Sequence, residues 1–213
     1  MELRVFFGGS FMPPHIGHHE LLERLLRESG VSHVHLVPTG INPLKDHPPL
    51  FSSAERRQLI NAWVHTVKQR SPEISSKLKL ETFELDSEKV SYTVQSLRTL
   101  KERNPESRWV VAIGADLLEQ LPRWRAVNDL LSGLEAVWVF KRGGYALSPQ
   151  EIPESLRGLC AWRLFPESLQ WISSTELRDL GGNSDALQAR LKPYLLDNVF
   201  EVFARLLLQK NRE

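Results

Sequence analysis

The apolar run Trp109-Val110-Val111-Ala112-Ile113 ends abruptly at Gly114. A strand with one wet face alternates apolar and polar residues; this one does not, so both of its faces are covered. Strands of that kind belong to parallel sheets sandwiched between helices. The flanking sequence repeats the same grammar. Leu3–Phe7 reads as a buried strand closed by Gly8-Gly9, and Val31–Val37 as a second closed by Pro38. Leu78–Leu85 is β-like, and Ala136–Phe140 and Leu159–Phe165 are further strand candidates. Between them the apolar period lengthens to that of a helix. Leu21, Leu22, Leu25 and Leu26 precede a stop at Gly30; Leu59, Ile60 and Trp63 share one face of Ser53–Val67; Val94, Leu97 and Leu100 share one of Thr93–Arg103. This alternation predicts an α/β protein with a doubly wound parallel sheet of Rossmann-like form.

In such folds ligands bind beyond the carboxyl ends of the strands, where the strand order reverses. Chemically suggestive residues should therefore follow the strands, and they do. Gly8–His18 follows the first strand, Asn42–Lys45 the second, Gly114–Asp116 the Trp109 run, and Ser173–Arg178 the last. The Pro/Gly-rich stretches Pro38–Pro49 and Arg142–Pro153 read as site loops rather than linkers.

The first cluster is Gly8-Gly9-Ser10-Phe11-Met12-Pro13-Pro14-His15-Ile16-Gly17-His18. Two glycines after a strand allow backbone N–H groups close to an anion. Gly17 and His18 open the next helix, whose free N–H groups and dipole favour phosphate. His15 and His18, three apart, fall on one side of that turn, where each can donate to a phosphate oxygen; an imidazolium would also offset charge on a leaving pyrophosphate. Neither a Walker A sequence nor GxGxxG is present. A zinc site at His15, His18 and His19 lacks a Cys or Glu at ligand spacing, so His19 is expected to pack or be solvated. In the last cluster Ser173 and Glu176 form a capping-box pattern, and Thr175 and Arg178 add a hydroxyl and a fixed charge suited to a triphosphate. Asp116 can cap a helix, bind a ribose hydroxyl or meet a Mg²⁺-bound water. Trp124, in Leu121-Pro122-Arg123-Trp124-Arg125, can be core or can stack on a planar ring.

Composition narrows the classes. The 213 residues suit a single domain spanning 1–213, with 172–213 its helical C-terminal portion. Lys plus Arg number 27 against 26 Asp plus Glu, a net charge of +1 that gives no reason to expect nucleic-acid or membrane partners. Cys160 is the single cysteine, so no disulfide framework is available. With no signal-like N-terminus or long apolar run, a cytoplasmic protein is expected, and assembly into a homo-oligomer is compatible with the sequence.

The Gly8–His18 segment, Ser91-Tyr92-Thr93, Gly114-Ala115-Asp116 with Leu118 and Trp124, and Ile172–Arg178 together resemble bacterial nicotinate-nucleotide adenylyltransferases, in order and over nearly the whole chain. The His-x-Gly-His element is common to a wider nucleotidyltransferase superfamily; the other elements narrow it. The resemblance implies transfer of AMP from ATP to nicotinate mononucleotide with Mg²⁺, giving deamido-NAD and pyrophosphate. It implies that Gly8, Gly9, Ser10, Phe11, His15, His18, Gly114, Asp116, Ser173, Ser174, Thr175 and Arg178 bind ATP, with His15, His18 and Arg178 acting in catalysis. On the acceptor side it implies Lys45, Ser91, Tyr92, Thr93, Trp124, Arg125 and Arg142, with Thr93 and Arg125 offering backbone N–H groups to the pyridine carboxylate. Alternative acceptors are nicotinamide mononucleotide and those of other small-acceptor nucleotidyltransferases; a binding protein without catalysis is the non-enzymatic alternative. One departure stands out: Met12 occupies a position where the family usually has Asp or Asn.

Overall fold

The computed structural model describes residues 1–44, 48–87, 89–169, 173–179 and 189–210. Six strands form one parallel sheet in the order β3-β2-β1-β4-β5-β6: β1 Leu3–Gly9, β2 Val31–Pro38, β3 Leu78–Leu80, β4 Arg108–Gly114, β5 Ala136–Arg142 and β6 Ala161–Leu169. The chain starts in the middle at β1, builds outward through β2 to β3, then returns to place β4 on the other side of β1. The strand order thus reverses between β1 and β4, and the crevice above that pair is the natural ligand position.

Helices lie on both faces, as the unbroken β4 run requires. On one face Val5, Phe7, Val110, Ala112 and Trp138 pack against α1 (Ile16–Arg27), α2 (Ser53–Arg70) and the C-terminal helix. On the other, Phe6, Trp109, Val111, Ile113 and Val139 pack against α4 (Thr93–Arg103) and α5 (Val127–Ser132). The alternation along each strand is thus apolar on both sides. A short helix, α3 (Pro72–Ser75), leads into β3, and α6 (Ser174–Asp179) follows β6. The C-terminal helix α7 (Asp197–Lys210) covers α2, with Phe203 edge-on to Phe51 at 5.8 Å and Asn198 donating to the Thr66 hydroxyl at 3.1 Å. Among the described residues no helix is long and apolar enough to cross a membrane.

Several boundaries differ from expectation, three of them informatively. β1 runs on through Gly8-Gly9, which pair with Val37 and Pro38. β3 stops at Leu80 instead of Leu85, because the Asp86 N–H bonds the Thr82 carbonyl at 3.0 Å and closes a turn over Phe83–Asp86. β6 begins at Ala161, after a short helical turn at Glu154–Leu156.

Candidate active site

A cavity of about 350 Å³ opens at the carboxyl ends of β1 and β4. The phosphate-type turn supplies Gly8, Gly9, Ser10, Phe11, His15 and His18 to its wall; the start of α4 supplies Ser91, Tyr92 and Thr93. The end of β4 adds Gly114 and Asp116, the next turn Trp124 and Arg125, the end of β5 Arg142, and the segment into α6 Ser173, Ser174 and Thr175. Nearly every residue singled out in the sequence therefore meets at one place. Arg178 does not line the cavity, and Lys45 and Ile172 lie outside the described residues.

The turn after β1 is tightly built. Phe11 has φ 45°, a left-handed value rare outside glycine. It is held there by its ring, which is 2% exposed and meets Phe7 and Trp63 at 5.2 Å and His18 at 5.0 Å between centroids. Gly9 permits this, since a Cβ on it would lie 2.9 Å from the Phe11 ring. The glycine thus serves aromatic packing as well as backbone approach.

His15 caps α1, and its ring stacks on His18 with centroids 3.7 Å apart. The His15 backbone N–H donates to His18 Nδ1 at 3.3 Å. A backbone amide can only donate, so Nδ1 is the bare nitrogen and neutral His18 carries its proton on Nε2. Both ring nitrogens of His15 are buried without a hydrogen-bond partner. Burial, then the nearby Arg142 cation, lowers the His15 pKa to about 3. Burial, then His15 and Arg142, also holds His18 well below the ordinary histidine value. Left to the protein's own groups, then, neither ring is an imidazolium. Each is a neutral donor, which differs from the charged form the sequence had allowed. His19, expected to pack or be solvated, is 6% exposed.

This buried neutrality carries a stability signature. Unfolded histidine titrates near 6.5, and folded His15 near 3. Between these values the unfolded chain binds a proton that the folded chain does not, so stability is lost as pH falls below 6.5. At pH 5.5 the loss from His15 is about 1.4 kcal/mol, or roughly 3–5 °C in Tm for a chain of this size. The His15→Asn variant removes the titration. Thermal melts at pH 7.5 and 5.5 should show wild type losing about that much more Tm than the variant; equal losses would refute the assignment.

Asp116 and Arg142 form an ion pair at 2.8 Å across the ends of β4 and β5, leaving Asp116 Oδ1 buried without a hydrogen bond. Arg142 also makes an interaction beyond this pair. Tyr92 carries the Arg125 guanidinium over its ring, 4.6 Å from the centroid. Thr93 is the first residue of α4, where N–H groups have no partner within the helix. Trp124 is half-buried, resting on the apolar cluster beneath while facing the cavity.

The segment into α6 docks on the turn after β1. Ser174 donates to the Pro13 carbonyl at 3.0 Å, and Arg178 to the Met12 carbonyl at 2.8 Å and the Thr175 hydroxyl at 3.0 Å. Ser173 and Glu176 form the expected capping box, with Glu176 N–H to Ser173 Oγ at 3.1 Å and Ser173 N–H to Glu176 Oε2 at 2.8 Å. Met12 turns its side chain into the core, 5% exposed, and does not line the cavity. At position 12 the main-chain carbonyl makes the polar contact, so the missing carboxylate or amide leaves no gap in the wall.

Several lining residues went unmarked in the sequence: Thr39, Glu84, Gln120 and Arg123. Glu84 was submerged in the expected strand Leu78–Leu85. It is 6% exposed, and burial raises its pKa above the usual carboxylate range.

A model of the cytidylyltransferase-like family matches residues 6–180. The nicotinate-nucleotide adenylyltransferase of Bacillus subtilis is 31% identical over 143 residues, covering 67% of this chain and 71% of that protein. A probable nicotinate-nucleotide adenylyltransferase of Halalkalibacterium halodurans is 33% identical over 140 residues; the match covers 66% of this chain and 64% of the relative, just under two thirds of its length. Among solved structures, the Plasmodium falciparum nicotinic acid mononucleotide adenylyltransferase complexed with NaAD superimposes with a TM-score of 0.75 over the whole of both chains, at 18% identity. That last likeness is one of fold.

Proposed function

Because the chain belongs to the cytidylyltransferase-like family and, within it, to the nicotinate-nucleotide adenylyltransferases, we propose that it transfers AMP from ATP to the phosphate of nicotinate mononucleotide. The products are deamido-NAD and pyrophosphate. The observation that carries this reading is the stacked His15–His18 pair, short of partners, in the wall of a cavity at the switch point.

The reaction needs no protein nucleophile. An oxygen of the acceptor's phosphate attacks the α-phosphorus of ATP in line; the bond from that phosphorus to the β-phosphate bridging oxygen breaks, and pyrophosphate leaves with the electron pair. Catalysis then consists of positioning and charge stabilisation. His18, its proton fixed on Nε2, donates to a phosphate oxygen as charge builds, and His15 offers its unpartnered ring beside it. The backbone of Gly8, Gly9, Ser10 and Phe11 receives the nucleotide. Ser173, Ser174 and Thr175 face the β- and γ-phosphates, with the Arg178 cation behind them on the Met12 carbonyl. Gly114 and Asp116 take the ribose region. Opposite, Ser91, Tyr92, Thr93, Trp124, Arg125 and Arg142 receive the mononucleotide, whose pyridine carboxylate meets the backbone N–H groups of Thr93 and Arg125; Lys45, outside the described residues, is assigned to the same substrate by its sequence alone.

Mg²⁺ fits as an ion carried in with the triphosphate. Among the described residues no group of three or more His, Cys, Asp or Glu side chains gathers to hold a metal. Phosphate oxygens and waters would complete its shell, and Asp116 Oδ1, buried without a partner, could accept from one of those waters. When bound, the ion would neutralise phosphate charge.

The test is pyrophosphate release with ATP and either nicotinate or nicotinamide mononucleotide, with Mg²⁺ and with excess chelator. Release with the acid acceptor at least tenfold faster than with the amide, and abolished by chelator, is expected. Faster release with the amide would reassign the acceptor, and no release with either would overturn the enzymatic reading.

A further inference from the structure

Arg56, in the first turns of α2, is an arginine that the chemistry above does not use. It is 3% exposed, and its guanidinium donates to three main-chain carbonyls: Gly40 at 2.9 Å, Ser10 at 3.1 Å, and Thr39. Ser10 follows β1 in the phosphate turn, and Thr39 and Gly40 follow β2. The last backbone link between these strands is the Thr39 N–H on the Gly9 carbonyl at 2.9 Å. Arg56 therefore begins where the sheet's own hydrogen bonds end. It ties the two chain segments beyond the last backbone bond between them.

The tie continues beyond Gly40. The Gly40 N–H points at Ser91 Oγ (3.2 Å) and Glu84 Oε2 (3.4 Å), and the other Glu84 oxygen accepts from the Ser96 hydroxyl on α4. Contact is so close that a Cβ on Gly40 would lie 2.3 Å from the Glu84 carbonyl oxygen and 2.9 Å from Ser91 Oγ. The Ser91 N–H bonds the Ile41 carbonyl at 2.9 Å. Ser91 opens the Ser91-Tyr92-Thr93 segment on the acceptor side. A continuous path thus runs from Ser10 through Arg56 and Gly40 to Ser91 and the start of α4.

We infer that Arg56 is a positioning residue that sets the distance between the ATP side and the acceptor side of the cavity, by clamping Ser10 to Gly40 and, through Gly40, to Ser91. The planar fork matters because its two terminal nitrogens act apart, Nη1 on Gly40 and Nη2 on both Ser10 and Thr39; a lysine carries its charge and all its donors on a single nitrogen. In-line transfer makes that distance matter, since small misplacements of reacting groups are costly in rate. The inference rests on the adenylyl-transfer reading of the cavity.

Arg56→Lys is expected to lower kcat about tenfold and to raise KM about fivefold for both ATP and the mononucleotide. Ser96→Ala removes the Glu84 partner only and should raise the mononucleotide KM alone, about threefold. Assays run well below each variant's Tm separate these effects from stability, since a purely structural arginine would lower Tm while leaving kcat and both KM values unchanged. That last result, or a rise in the ATP KM only, would overturn the inference. Should Arg56→Lys fail to fold, Ser96→Ala decides: an unchanged mononucleotide KM overturns it. If wild type released no pyrophosphate with either acceptor, the functional reading would fall instead. The clamp would then be tested by binding of a non-hydrolysable ATP analogue, expected to weaken about fivefold in Arg56→Lys; unchanged binding would overturn it.

Discussion

The His18→Ala variant is expected to lower kcat by about a hundredfold, with KM for ATP changed less than threefold. The size follows from the loss of one preorganised donor at a site of developing charge, which typically costs between a hundred- and a thousandfold. Preorganisation here has a specific origin. The His15 backbone N–H occupies His18 Nδ1, and the Phe11 ring stands edge-on to the imidazole at 5.0 Å, so neither the tautomer nor the ring plane is left to chance. A donor that exists in the neutral form does not need acid. Accordingly kcat/KM should stay level between pH 7 and 8.5, where an imidazolium of ordinary pKa would already be lost. Steady-state pyrophosphate release measures both. A fall in kcat under threefold for His18→Ala would remove the phosphate role, and a decline of kcat/KM across that pH range would restore the charged form.

The sheet was readable because its central strands announce themselves. β1, β2, β4 and β5 are apolar runs closed near Gly or Pro, and a parallel sheet puts all their carboxyl ends on one edge. That is why polar clusters separated by up to about 160 residues could be expected to meet. β3 misled for a local reason: Phe83-Glu84-Leu85 continues the apolar alternation, yet Thr82 and Asp86 close a turn there through both backbone and side chain. Overlooking that turn also hid Glu84. Arg56 was unreadable for another reason. Glu55–Gln58 is polar throughout and looks like a solvated first turn of a helix. Its burial comes from carbonyls 17 and 46 positions away in the chain, which no local pattern encodes. Position 12 shows the limit of reading side chains alone. Methionine removes a polar group from the sequence, but the backbone carbonyl there is the atom that Arg178 grips.

Trp124, which the sequence left evenly divided between core and ligand, can be assigned by substitution. Trp124→Ala is expected to raise the mononucleotide KM about thirtyfold, with kcat and the ATP KM within threefold. The tryptophan both rests on the apolar cluster and faces the cavity, so each role is physically open to it. The neighbouring aromatic is less available, because the Arg125 guanidinium already covers the Tyr92 ring at 4.6 Å. An incoming pyridine is therefore expected to stack on Trp124 rather than on Tyr92. Base–aromatic stacking contributes about 1–3 kcal/mol, and the middle of that range is a factor of about thirty. The contact is the same in ground and transition states, which is why KM moves and kcat does not. Trp124→Phe keeps a smaller face and should recover most of the loss. If Trp124→Ala instead lowered Tm by several degrees and left the mononucleotide KM within threefold, its indole would be packing and the pyridine would have to stack elsewhere.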